Sequence, residues 1–255
     1  MTALEYVLKR DRAFVIGALI FVCVLAWGYM LAGAGMSMGS GSNAMSMPMA
    51  WGAGHALVVF VMWWIMMVAM MLPSAAPVVL LYARVSRTQQ EAGRPFVPAG
   101  FFLAGYLLAW GLFSLMATLV QWWLEDSGLL SMMMASQSAY LSAAILIVAG
   151  LWQFTPLKQS CLRHCRSPLH FLVHGFRPGI AGALRMGAGH GFFCLGCCWF
   201  LMALLFYGGV MNLYWIAGLA LYVLLEKSVP AGHLVSRLAG AALIVWGGYL
   251  LLAAS

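Results

Sequence analysis

Residues 55–83 read HALVVFVMWWIMMVAMMLPSAAPVVLLYA, a run without a single Lys, Arg, Asp or Glu. A helix needs about 20 apolar residues to cross the hydrocarbon of a bilayer, and a barrel strand only about 9–11. The run is therefore long enough for a membrane-spanning helix and far too long for a strand. The same bias holds along the chain: of 255 residues, 64% are hydrophobic and 7% are charged. Soluble domains carry about 25% charged residues. A chain this poor in charge cannot clothe a globule in water, so the expectation is one all-α integral membrane domain, residues 1–255.

Seven segments qualify as spans: 13–34, 55–83, 97–123, 137–155, 186–208, 211–228 and 236–254. The first follows the basic cluster Lys9, Arg10, Arg12, but its apolar run exceeds a signal peptide's core of about 7–15 residues, so it reads as a retained anchor. Seven spans sort the 13 Lys and Arg onto one side. They fall before span 1, between spans 2 and 3 (Arg84, Arg87, Arg94), between 4 and 5 (Lys158, Arg163, Arg166, Arg177, Arg185) and between 6 and 7 (Lys227, Arg237). The positive-inside rule then puts the N-terminus in the cytoplasm and the C-terminus outside. Trp51, Trp122, Trp123 and Trp152, near span ends, suit interfacial anchoring. The net charge of +7 is a topological signal here, not a nucleic-acid footprint.

Sulfur is distributed over both loops and spans. The outer loop, residues 35–54, continues to His55 and contains GMSMGSGSNAMSMPMAWGAG, with Met36, Met38, Met45, Met47 and Met49 among Gly and Ser. Such composition predicts a segment without its own core, so gap-filling does not explain these methionines. Thioether sulfur selects Cu(I), needs no deprotonation and forms no disulfide. Met132, Met133 and Met134 repeat the theme in the second outer loop. In span 2, Met62, Met66 and Met70 recur at i, i+4 and i+8 with Met67 and Met71 beside them, one stripe at 3.6 residues per turn. Methionine at that spacing is commonly core or lipid contact. This stripe, however, begins below His55 and ends at Pro73 and Pro77, each of which removes a helical hydrogen bond.

Span 5 carries Met186, His190, Cys194 and Cys197 at 0, +4, +8 and +11, hence on one helical face, with Cys198 at its edge. Buried cysteine alone is often a small hydrophobe. A histidine and three cysteines together inside an apolar span point to metal or thiol chemistry. The inner loop, residues 156–185, adds Cys161 and Cys165 at i, i+4 with His164 beside Cys165, then His170 and His174 again at i, i+4. That spacing lets two side chains share an ion. A reducing cytoplasm favours metal over disulfide, and basic neighbours Lys158, Arg163 and Arg166 favour the thiolate.

The strings MMVAMMLPSAAP (66–77), QFTPLKQSCLRHCRSP (153–168), MGAGHGFFCLGCCWFLM (186–202), GVMN (209–212) and the pair Glu226, Lys227 resemble a bacterial family of predicted metal-binding integral membrane proteins, sometimes labelled copper chaperones. The resemblance covers roughly residues 55–230. It implies metal handling in the bacterial inner membrane by a multi-pass protein. The residues it carries over are Met66, Met67, Met70, Met71, Cys161, Cys165, His190, Cys194, Cys197 and Cys198.

Together these readings favour a non-enzymatic Cu(I) carrier. Capture would occur at outer methionines and transfer along Met, then Cys and His, to the cytoplasmic side. A periplasmic copper donor or a cytoplasmic acceptor are the protein partners such a route would need. Zinc ranks behind copper because methionine does not suit it. A membrane thiol–disulfide oxidoreductase using Cys194 and Cys197 is the first alternative, though the outer loops hold no cysteine. A non-catalytic assembly subunit is the second. The acidic residues all lie near span ends, so no buried carboxylate is expected to act as a base. Glu226 is expected to pair with Lys227 or another basic residue. Asn212 has no assigned role.

Overall fold

The computed structural model describes residues 3–33, 51–91, 93, 96–131, 134–167, 172 and 175–254, with side chains from residue 12 onward. Among these residues the regular structure is helical, apart from one isolated bridge between Leu130 and Ser136. The helices are α1 (Ala3–Leu31), α2 (Ala53–Glu91), α3 (Ala99–Asp126), α4 (Ala139–Trp152), α5 (Pro156–Arg166), α6 (Gly179–Ala203), α7 (Leu205–Gly208), α8 (Leu213–Ser228) and α9 (Gly232–Ala254). All seven apolar segments are thus helical. Five helices, α1, α2, α3, α6 with α7, and α9, are long and apolar enough to cross a membrane.

Two segments differ from expectation. The segment 137–155 is not one long span: α4 has 14 residues and turns by 65° into α5. The turn is written locally. Ser138 caps α4 by accepting from Leu141 N–H, and Thr155 caps α5 by accepting from Lys158 N–H, with Pro156 in the first turn, where its missing N–H costs nothing. Residues 156–166, expected as loop, are therefore a helix. The segment 211–228 is shorter than expected. Asn212 caps α8 through Trp215 N–H, so this helix has only 16 residues. Pro73 and Pro77 lie inside α2, which continues through both to Glu91.

Contacts fix the direction of each helix. Trp63 on α2 meets Gln121 on α3, while Ser86 meets Val97 before α3, so α2 and α3 are antiparallel. α3 and α6 run parallel: Gly187 faces Phe102 and Gly191 faces Ala109. α6 and α8 are antiparallel, with Trp215 Nε1 donating to the Leu204 carbonyl and Lys227 reaching Cys194. α4 and α9 are antiparallel along Gly150 with Gly240 and Ala143 with Gly247. The bundle thus has two ends, a Trp51 end and an Arg166 end.

Close packing rests on small residues. A Cβ at Gly187 would run into the Phe102 carbonyl, and one at Gly105 into the Leu184 carbonyl. Small residues let helix backbones approach where apolar burial supplies no drive between helices. The outer surface is apolar, with Leu252 79% and Leu238 73% exposed, whereas Gln121, Gln153, Lys158, His190, Glu226 and Ser236 are buried. Polar groups inside and apolar groups outside suit a lipid surround.

Gly187→Leu should lower the thermal stability of the detergent-solubilised protein, because overpacking typically costs about 1–3 kcal/mol. Gly28→Ala, at a position with no neighbouring atom within 4 Å, should leave the melting temperature unchanged or raise it slightly.

Candidate metal centre

The methionine stripe of α2 faces inward. Met62, Met66, Met67, Met70 and Met71 are all buried, and they belong to the same continuous core as Cys194, Cys197 and Cys198 of α6. Trp63, Trp110, Phe113, Tyr106 and Phe206 belong to the same core as these sulfurs. Their order along α2 follows from helix rise: about 1.5 Å per residue separates Met62, near the Trp51 end, from Met71, beside the cysteines.

Cys194 is the centre of a polar node. Lys227 Nζ donates to its Sγ at 2.9 Å and also to Ser74 Oγ at 3.3 Å. The Tyr106 hydroxyl lies 3.2 Å from the same sulfur and 3.5 Å from the Met71 carbonyl. Cys197 and Cys198 each donate to the Cys194 carbonyl at 3.0 Å. Cys165, from α5, comes within hydrogen-bond reach of the Cys194 and Cys197 thiols. Three buried cysteines of α6 and a buried lysine thus lie together, with the half-buried Cys165 of α5 packed against them.

These groups form a hydrogen-bonded chain rather than a coordination shell. Among the described residues, no three His, Cys, Asp or Glu side chains converge as a metal centre. The reason is visible in the contacts. Cys197 and Cys198 spend their thiol protons on a backbone carbonyl, and Cys194 already faces an ammonium. A soft ion held here would have to turn these thiols and displace Lys227 from Cys194. The donor chemistry itself, thiol beside thioether, fits copper(I) better than a hard cation.

The other expected ligands divide. Met186 is buried but in a separate core with Leu72, Val78 and Tyr82, its Sδ accepting from Arg177 N–H. His190 is buried and packs its ring against Phe102 and Tyr106. Cys161 Sγ packs beside Gly196, on the inner face of α5. His164 turns away: it is exposed, its ring stacks on Phe193 with centroids 4.2 Å apart, and Nδ1 contacts the Ser160 carbonyl. It does not join Cys161 and Cys165 at one site. His55 stacks edge-on against Trp51 at the far end of α2. Met36, Met38, Met45, Met47, Met49, Met132, Met133, His170 and His174 lie outside the described residues.

Glu226 has a basic partner, as expected, but its burial was not expected. Glu226 pairs with Lys158, not Lys227, at 2.6 Å, and both side chains are 0% exposed. A buried carboxylate therefore exists. It accepts from the Tyr222 hydroxyl, and its second oxygen has no partner among the described residues. Neighbours on a helix do not face each other, which separates Glu226 from Lys227. Lys158 is consumed by this ion pair, and Arg166 donates to the Val229 and Pro230 carbonyls. With Lys158 and Arg166 so engaged, burial pushes the Cys161 thiol up, not down. Lys227 was missed as a site residue. Its signal was an ionisable side chain at the end of an apolar helix, a rare and usually functional placement.

The site and fold define a class: a helical protein whose apolar helices enclose a thiol- and thioether-lined interior. More narrowly, the chain belongs to the PpoB2 copper chaperone family, whose profile matches residues 60–250. No curated protein and no solved structure matches it.

Lys158→Met should cost about 3–5 kcal/mol, because it strands a buried carboxylate. Lys158→Met combined with Glu226→Leu should recover most of that loss. Unfolding in a denaturant series, single variants against the double, measures both.

Proposed function

We propose that this chain is a multi-pass membrane copper chaperone that accepts Cu(I) among thioethers and passes it to thiols. Seven helices would cross the bacterial inner membrane, with α4 and α8 as short spans and α5 tucked beneath α4 at the cytoplasmic side. The Arg166 end would face the cytoplasm, since Arg84, Arg87, Arg163 and Arg166 all belong to helix segments at that end, and short basic loops stay inside. The role is carriage, without catalysis.

One observation carries the reading: seven methionines, five of them on α2, and three cysteines occupy one continuous buried core. Lipid-facing or scattered sulfur would be packing material. Sulfur collected inside, in a bundle that seals it from water, offers a soft cation successive partners. Thioethers are neutral and weak ligands, while thiols release a proton and bind more firmly, so affinity rises from Met62 toward Cys194. Movement through a series of sites needs each to hold the ion and still release it. The thiols of α5, Cys161 and Cys165, would receive the ion last and present it to a cytoplasmic acceptor. The methionines around residues 36–49 would serve as collectors, with a periplasmic donor upstream.

Anaerobic metal analysis of the purified protein under reducing conditions tests this. Wild type should hold Cu(I) stoichiometrically and show the ultraviolet absorption of copper–thiolate bonds. Cys194→Ser/Cys197→Ser should lose that absorption and at least about tenfold in affinity, about 1.4 kcal/mol. Met66→Leu/Met70→Leu conserves volume and should cost under about 1.5 kcal/mol of stability per site while reducing total silver(I) bound. A metal-free wild type with a Cys194–Cys197 disulfide would replace this reading by a thiol–disulfide oxidoreductase.

A further inference from the structure

At the Trp51 end, away from the cysteines, a second polar cluster stands over the methionine stripe. Gln121 on α3 is fully buried, and all its amide atoms are engaged. Its Oε1 accepts from Trp63 Nε1 at 2.6 Å, and its Nε2 donates to Glu125 Oε1 at 2.8 Å and to Met134 Sδ at 3.1 Å. Trp51 Nε1 donates to the other oxygen of Glu125 at 2.9 Å. A thioether and a carboxylate oxygen are thus both turned toward one nitrogen atom, directly above Trp63 and its neighbour Met62.

The backbone holds Met134 there at some cost. It is the one non-glycine residue with positive φ among those described, at 53°, a conformation L residues adopt sparingly and which collects at functional sites. The turn is clamped by Met134 N–H to the Ser131 carbonyl and Ser131 N–H to the Ala135 carbonyl, and Ser136 N–H binds the Phe206 carbonyl at the end of α6 and α7. A free surface methionine needs none of this. A cleft of about 230 Å³ lined by Trp51, Gly52, Ala56, Thr118, Leu119 and Trp122 opens beside Trp51, the residue that holds Glu125.

We propose that Met134 and Glu125 form the admission site for the Cu(I) ion, with Gln121 as the positioning residue that aims both at a common point. The inference rests on the copper reading above, picks Met134 out of the outer methionines and adds Glu125 and Gln121, which that reading did not assign to copper. Glu125 supplies the negative charge that offsets a cation leaving water, which the neutral thioethers of α2 cannot do. Met134 supplies the soft ligand that selects Cu(I) over hard cations. When the ion enters, the Gln121 amide gives up its bond to sulfur, and the next soft partner is Met62, one residue from the tryptophan that Gln121 holds.

The test is the rate of Cu(I) transfer from a Cu(I)-selective chelator to the full chain in detergent micelles, without oxygen, followed by copper–thiolate absorption. Met134→Leu and Glu125→Gln should each slow loading about tenfold or more, the rate equivalent of one lost ligand interaction. The double variant should be little slower than either, because the two act at one site. The final cysteine-bound absorption should match wild type, which also reports intact folding. Silver(I) should be slowed in parallel, and zinc binding unchanged. If wild type loads copper while both variants keep pace, the admission site is overturned and the chaperone reading stands. If wild type itself takes no copper, both fall. A variant that loses final absorption as well as rate would also overturn the proposal, since its residue would then be structural.

Discussion

Lys227 reaches from the last turn of α8 into the buried core, and there its ammonium meets the sulfur of Cys194 and the hydroxyl of Ser74. Taking an ammonium out of water costs several kcal/mol, so the chain must surround it with acceptors. It does so with groups from three other helices: Ser74 from α2, Cys194 from α6 and, through that sulfur, Tyr106 from α3. The charge also faces Cys197, Cys198 and Cys165. The node therefore sets the relative register of four helices and of α5. A cation delivered to these thiols would arrive where a cation already sits, so binding would be an exchange: the ammonium leaves Cys194 as the metal takes its place. That explains why thiols so close together do not form a ready coordination shell.

The second charged device, Lys158 with Glu226, does a different job. It fastens α5, and with it Cys161 and Cys165, beneath the bundle. A buried ion pair is weak support for stability but strong support for a particular geometry, since moving either partner strands a charge. The 65° bend between α4 and α5 would otherwise leave an 11-residue helix held only by one face of contacts. Arg166, bonded to the Val229 and Pro230 carbonyls, closes the other end of that helix onto the loop after α8.

Much of this was legible from residue spacing. Methionines at i, i+4 and i+8 fall on one face of any helix, and Met62, Met66 and Met70 do so; so do Met186, His190, Cys194 and Cys197. Length and apolarity located every major helix. What spacing could not supply was the partner of each side chain. His164 sits between Cys161 and Cys165 in sequence, yet its ring stacks on Phe193, because a helix turns adjacent residues about 100° apart. The same geometry keeps Glu226 from Lys227. α5 looked like a basic loop because its charges were counted as solvated, whereas Lys158 is buried against a glutamate on a helix far along the chain. Such pairings depend on packing between helices, and one sequence read alone carries no record of it.

The two ends of the sulfur core are closed by interactions of very different strength. At the Arg166 end, reaching Cys194 from below means displacing α5, and that breaks a fully buried ion pair together with charged hydrogen bonds from Arg166. At the Trp51 end the closure nearest Met62 is a carboxamide whose bond to Met134 ends on a thioether, a weak acceptor. On the proposed reading an ion would enter past Gln121 at a small cost and advance toward stronger ligands, whereas departure past α5 would require a larger rearrangement. Under that reading the asymmetry would let the core admit a soft ion readily and keep it until something competes for α5, which is the behaviour a carrier needs and an open channel does not.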